Sequence, residues 1–113
     1  MPPRPSAAKL DLTFQALADK TRRGMVERLS RGQATVSELA QPYGMSLPAI
    51  VQHLAMLESS GLVRSEKVGR VRTCRIEPHT LLATESWIRQ HIAAWEDRLD
   101  RMEAHIQRMK RKH

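Results

Sequence analysis

Cysteine occurs once, as Cys74, and aromatic residues only four times, as Phe14, Tyr43, Trp87 and Trp95. A single thiol excludes an intrachain disulfide framework and fits a reducing compartment. So few aromatics leave the core to Leu, Ile, Val, Met and Ala. No apolar run approaches the roughly 20 residues of a membrane span, and the N-terminus lacks the long apolar stretch of a signal peptide. There is no phosphate loop, nucleophile–base pairing or metal motif, and no long Gly-rich loop. These absences point to a soluble, cytoplasmic protein that is neither an enzyme nor a membrane partner and needs no cofactor. Acidic residues are scarce too, 12 against 19 Lys and Arg, for a formal charge of +7. Phosphates reward clustered Lys and Arg through counterion release, so a basic balance favours nucleic acid over anionic lipid.

The 113 residues fit one domain. Residues 1–8, with Pro2, Pro3 and Pro5, read as a disordered leader, and residues 9–113 as the domain. A first helix is expected from about Lys9 to Ala18, with Leu10, Phe14, Leu17 and Ala18 on one stripe. Asp19 suits the N-cap of a second helix over Lys20 to Ser30, with Met25, Val26 and Leu29 inward and Gly32 as its stop. Thr35 to Glu38 reads as a capping box opening a short third helix that carries Val36, Leu39 and Ala40 inward. Ser46 then caps a fourth helix, closed by Gly61, in which Pro48 falls in the first turn. Leu47, Ile50, Leu54 and Leu57 are assigned to its inner face. Leu62 to Lys67 and Val71 to Ile76 flank Gly69 as the strands of a hairpin. The class is therefore mainly α with a β-hairpin wing: a helix-turn-helix at 36–60, a wing at 62–76 and a long helix at 78–111.

That last helix carries Ile88, Ile92, Trp95, Leu99, Met102, Ile106 and Met109 at alternating steps of four and three, a heptad seam. Such a seam wants a partner helix. A second copy of the chain is the economical occupant, with Leu10, Phe14 and Trp87 at the same interface; the bland alternative is a helix folded back on its own domain.

The outer face of the fourth helix comprises Pro48, Ala49, Val51, Gln52, His53, Ala55, Glu58 and Ser59. Its start is small and uncharged, as a helix approaching base edges in a major groove requires, and Ser46 begins it. Gln52 matches adenine, Ala49 and Val51 suit thymine methyls, and His53 suits a base or phosphate. The structural alternative for His53 is packing against the wing or capping a neighbouring helix end. The hairpin adds Arg64, Lys67, Arg70, Arg72 and Arg75, with Arg70 at the tip best placed for a phosphate or the minor groove. Arg22 and Arg23 are candidates for backbone contacts, with an internal ion pair as the alternative. The pattern implies a homodimeric, double-stranded-DNA-binding regulator; an architectural, sequence-indifferent nucleic-acid binder is the competing reading.

The stretch from Ala16 to Arg23 resembles the opening signature of the arsenic-repressor (ArsR-type) winged-helix regulators. Ser46 to Leu54, Leu57-Glu58, Gly61-Leu62-Val63, Gly69-Arg70 and Arg75 to Pro78 are similar to that family as well. Trp87 and Trp95 look like the aromatic positions of a branch that does not sense metals. The resemblance implies a repressor dimerised through its terminal helices on a pseudo-palindromic operator, half-sites roughly 34 Å apart. The family's frequent Ser and Lys are replaced here by Val51 and Gln52, and a frequent Tyr by Cys74. Its third-helix thiolates would fall at residues 38–41, which hold no Cys. On the last helix, His91, Asp97, Glu103 and His105 are the nearest ligand types. Glu103 and His105 do not share a face, and His91 and His105 stand about 21 Å apart along the axis, so no metal site is expected within one chain. Cys74 is either a buried strand residue or, if exposed among the arginines, a redox-sensitive thiol. The effector is left unassigned.

Overall fold

The computed structural model describes residues 5–112 of the chain. Its elements run α1 (Ala7–Leu17), α2 (Lys20–Leu29), β1 (Ala34–Thr35), α3 (Val36–Ala40), α4 (Leu47–Ser59), β2 (Val63–Val68), β3 (Val71–Ile76) and α5 (Pro78–Arg111).

Ser6 caps α1 by accepting the Lys9 N–H at 3.2 Å, so the helix starts at Ala7, two residues ahead of the expected Lys9. The expected leader is correspondingly shorter, and its residues 1–4 lie outside the described residues. The buried face of α1 also differs from the expected stripe. Thr13 and Ala16 are buried, Leu17 packs beside them, and Ala18 is an exposed C-cap. Thr13 tolerates burial because its hydroxyl donates to the Lys9 carbonyl at 3.0 Å.

Asp19 caps α2 and the capping box of Thr35 and Glu38 opens α3, both as the sequence predicts. Gly61, at φ +81°, ends α4. Its N–H reaches the Glu58 carbonyl at 3.0 Å and the Leu62 N–H reaches the Leu57 carbonyl at 3.1 Å. This is the Schellman pairing that a left-handed glycine permits. Gly69, at φ +64°, takes the first of two turn positions between β2 and β3, the pattern of a type II′ hairpin.

β1 was not foreseen. Ala34 and Thr35 pair with Cys74 and Thr73, making a three-stranded antiparallel sheet in the order β1-β3-β2. The core gathers Met25, Leu29, Leu39, Ile50, Leu57, Leu62 and Val63 beneath the helices and against Cys74. α1 lies on α2, α4 and α5. Only Ala83, Thr84 and Ser86 of α5 are buried, and from Ile88 onward its residues are exposed. Its 34 residues span roughly 51 Å, and the molecule extends to 76 Å. No helix among the described residues is long and apolar enough to cross a membrane.

Candidate nucleic-acid interface

α4 begins at a capped, proline-containing turn: the Ser46 hydroxyl accepts the Ala49 N–H at 3.4 Å, and Pro48 stands exposed behind it. Ile50, Leu54 and Leu57 anchor the helix in the core. Val51 and Gln52 point outward and Ala49 is half-buried. Leu47 does not join the inner face, contrary to expectation. By rotation Leu47 stands only about 20° from the buried Leu54, seven residues on, so its exposure comes from its place as the first residue of α4, ahead of the helix's core contacts. It is 59% exposed and overhangs the space between α4 and the hairpin.

Strand register divides the basic residues of the hairpin, because successive side chains point to opposite faces. Lys67 lies opposite Arg72, and Ser65 opposite the buried Cys74, on the face turned toward α4. Arg64 and Arg75 lie opposite each other on the other face, where Arg64 is paired with Glu77 at 2.9 Å. Arg70 sits in the turn itself, exposed. The five basic residues are therefore not one patch.

Lys67, Arg70 and Arg72 form one wall of a cleft of about 610 Å³, with Leu47, Val51 and Ala55 of α4 opposite and Thr35 to Ser37 closing one end. Arg72 is held within that wall. Its Nη1 donates to Ser65 at 3.0 Å and lies 3.8 Å from Glu58 of α4, while the Ser65 hydroxyl donates to the same Glu58 carboxylate. These three residues tie the hairpin to the helix.

Arg22 is half-buried and Arg23 exposed, and both fold back onto the end of α1. Nε and Nη2 of Arg22 donate to the carbonyls of Ala16 and Gln15 at 2.8 and 3.0 Å, and Nη1 of Arg23 donates to Leu17 at 2.8 Å. Both donate to carbonyls of the last turn of α1, where intrahelical partners run out; Gln15 also accepts the Ala18 N–H. His53 is half-buried against this junction, its Nδ1 within 3.3 Å of Arg22 and 3.8 Å of Asp19. The Asp19 carboxyl sits below its usual range: the Arg22 backbone N–H lowers it, partial burial pushes it back, and the charges of Arg22 and His53 lower it again.

Cys74 is fully buried, and that burial, with Glu58 nearby, raises its thiol pKa despite the opposing charge of Arg72. It has the character of a core residue, not of an activated thiol. Among the described residues, no group of three or more His, Cys, Asp or Glu is placed to hold a metal ion.

Phe14 and Trp87 meet edge to face, ring centroids 5.8 Å apart, and His91 stacks on Trp87 at 4.1 Å. Leu10 is half-buried alongside. The seam residues Ile88, Ile92, Trp95, Leu99, Met102, Ile106 and Met109 are all 41–59% exposed. Two features had little sequence signal: the hairpin clamp at Glu58, and the packing of Tyr43 over Gly24. A Cβ on Gly24 would approach the Tyr43 hydroxyl to 2.5 Å.

Two helices joined by a short turn, followed by an antiparallel hairpin clamped to the second of them, define a winged helix-turn-helix protein. Residues 19–65 match the family model described as bacterial regulatory protein, arsR family. The chain belongs to that family and is a transcriptional regulator with a DNA-binding winged helix-turn-helix. It is 44% identical to the HTH-type transcriptional regulator Rv2034 of Mycobacterium tuberculosis over 73 residues, 65% of this chain and 68% of the relative. It is 34% identical to the arsenical resistance operon repressor of Escherichia coli over 100 residues, 87% of this chain and 82% of the relative. A crystal structure of an ArsR family transcriptional regulator, 49% identical, aligns with a TM-score of 0.78 and covers 83% of this chain and 97% of that one.

Proposed function

We propose that this regulator is a repressor that binds a specific, pseudo-palindromic operator in double-stranded DNA as a homodimer. The observation that carries the reading is the cleft: it sets the outward first turns of α4 against Lys67 and Arg70 of the hairpin. Low bulk at Pro48 and Ala49 lets the helix backbone approach base edges, the Ser46 hydroxyl can donate to a phosphate, and Gln52 offers a bidentate match to adenine. Lys67 and Arg70 hold the DNA backbone. Arg72 sets the lean of the hairpin, and Arg22, Arg23 and His53 hold the helices in register.

The exposed seam of α5 supports the homodimer. Seven large apolar residues in heptad spacing stand clear of their own domain, together with the half-open Phe14. A second copy covers them without any other partner. The lone cysteine lies in β3, away from α3, so we read the release signal as something other than a thiolate-bound metal.

The test is titration of the purified protein against the promoter fragment of its own gene and a scrambled duplex, at one near-physiological salt concentration. The promoter is expected to bind tighter by roughly 10³-fold or more. Equal affinities would replace this reading with architectural, sequence-indifferent binding.

A further inference from the structure

We infer that Leu47 and Val51 together form a thymine-methyl reader at the mouth of the cleft; the inference rests on the DNA-binding reading above and adds a specificity determinant to it. The two residues are one helical turn apart and so share a stripe on α4. They are 59% and 50% exposed, although the core beneath α4 is complete without them. Ala55, also exposed, continues the stripe along the cleft.

The cleft therefore has two chemistries. Its floor is apolar and open to water, while its far wall carries Lys67, Arg70 and Arg72, with Glu58 as the acidic residue among the lining. An apolar ligand would leave Lys67 and Arg70 without a counter-charge, Arg72 being paired with Glu58, and a simple polyanion would leave Leu47 and Val51 wet. A duplex entering major-groove-first offers both partners at once: phosphates along the rim, and on the base edges one apolar group, the C5 methyl of thymine. Leu47 is the first residue of α4 and Val51 lies one turn in, the segment that reaches base edges in helix-turn-helix proteins. A leucine at the helix start, with no core beneath it, gains burial only when DNA is bound.

The test uses the full chain and its own promoter fragment in two forms, one with thymine and one with every thymine replaced by deoxyuridine. The replacement removes the methyls and leaves each hydrogen-bonding edge unchanged. Wild type should bind the uracil duplex about fourfold more weakly per methyl contacted, the equivalent of about 0.8 kcal/mol per buried methylene-sized group. In Leu47→Ala/Val51→Ala the gap between the two duplexes should shrink to less than half of its wild-type size on a logarithmic scale. Val51→Thr, which keeps shape and swaps a methyl for a hydroxyl, should reduce the gap without disturbing the fold. Equal binding of both duplexes by wild type, or an undiminished gap in the double variant, overturns the inference. Where the thymine promoter is preferred over a scrambled duplex but uracil has no effect, this inference alone fails. Where promoter and scrambled duplex bind alike, the operator reading falls with it.

Discussion

Nη1 of Arg22 lies 3.3 Å from Nδ1 of His53, bridging the start of α2 and the middle of α4. The guanidinium is already committed on its other edges to the carbonyls of Ala16 and Gln15. The same ring nitrogen stands 3.8 Å from the Asp19 carboxylate, so His53 joins the junction of α1 and α2 through one edge. One side chain thus links the end of α1, the start of α2 and the middle of α4.

Replacing Arg22 should therefore act on stability first. Arg22→Ala removes charge-assisted bonds to two carbonyls of the last turn of α1, one half-buried and one exposed, and is expected to cost about 1 kcal/mol by denaturant unfolding. The salt dependence of DNA binding should keep its wild-type slope. A slope shallower by about one unit would instead mark Arg22 as a phosphate contact.

Asp19 gives the junction a pH signature. Its folded carboxyl lies below the usual 3.8, so it stabilises the fold fully above that value. The contribution fades as pH falls through the lower, folded value and is gone beneath it. Asp19→Asn keeps a capping oxygen and loses the charge. Denaturant midpoints of wild type and variant should differ by a constant amount near neutrality and converge on acidification. A gap that widens toward low pH would contradict the assignment.

The two arginines of the wing should separate by salt. Arg70→Ala is expected to weaken promoter and scrambled duplex alike and to flatten the salt slope by about one unit. Arg72→Ala should leave that slope intact, because its guanidinium is held by Ser65 and Glu58. Glu58→Gln should reproduce much of its effect, and the double variant should add little. The coupling is expected at about 0.2–1 kcal/mol, as for a half-exposed pair.

For the seam, Leu99→Glu is decisive, since Leu99 lies midway along it and stands clear of its own domain. Sedimentation at low micromolar concentration should show wild type as a dimer and the variant shifted toward monomer by about tenfold or more in dissociation constant. A wild-type monomer would overturn the seam reading.

Most of the fold was legible because its signals are local. Asp19, the Thr35–Glu38 box, Ser46, Gly61 and Gly69 each mark a boundary through their own backbone requirement, and each stands where the sequence places it. What escaped depends on neighbours distant in sequence. β1 is two residues long and exists only because β3 lies beside it. Leu47 fits an inward pattern by spacing, yet no element lies beneath the first turn of α4 to bury it. Arg22 and Arg23 look like surface cations until α1 is seen to end within reach of their guanidiniums. Of the hairpin's cations, the sequence shows the number, and only the register shows which face the reading helix.

Thr35 holds two offices at once: it pairs with Thr73 in the sheet, and its hydroxyl accepts the Glu38 N–H that starts α3. The corner between wing and helix-turn-helix is thus welded at a single residue, and Ser65, Arg72 and Glu58 brace it on the far side. On the proposed DNA-binding reading, these two sets of bonds couple the hairpin to α4, so the seating of Arg70 and the aim of Gln52 are expected to change together.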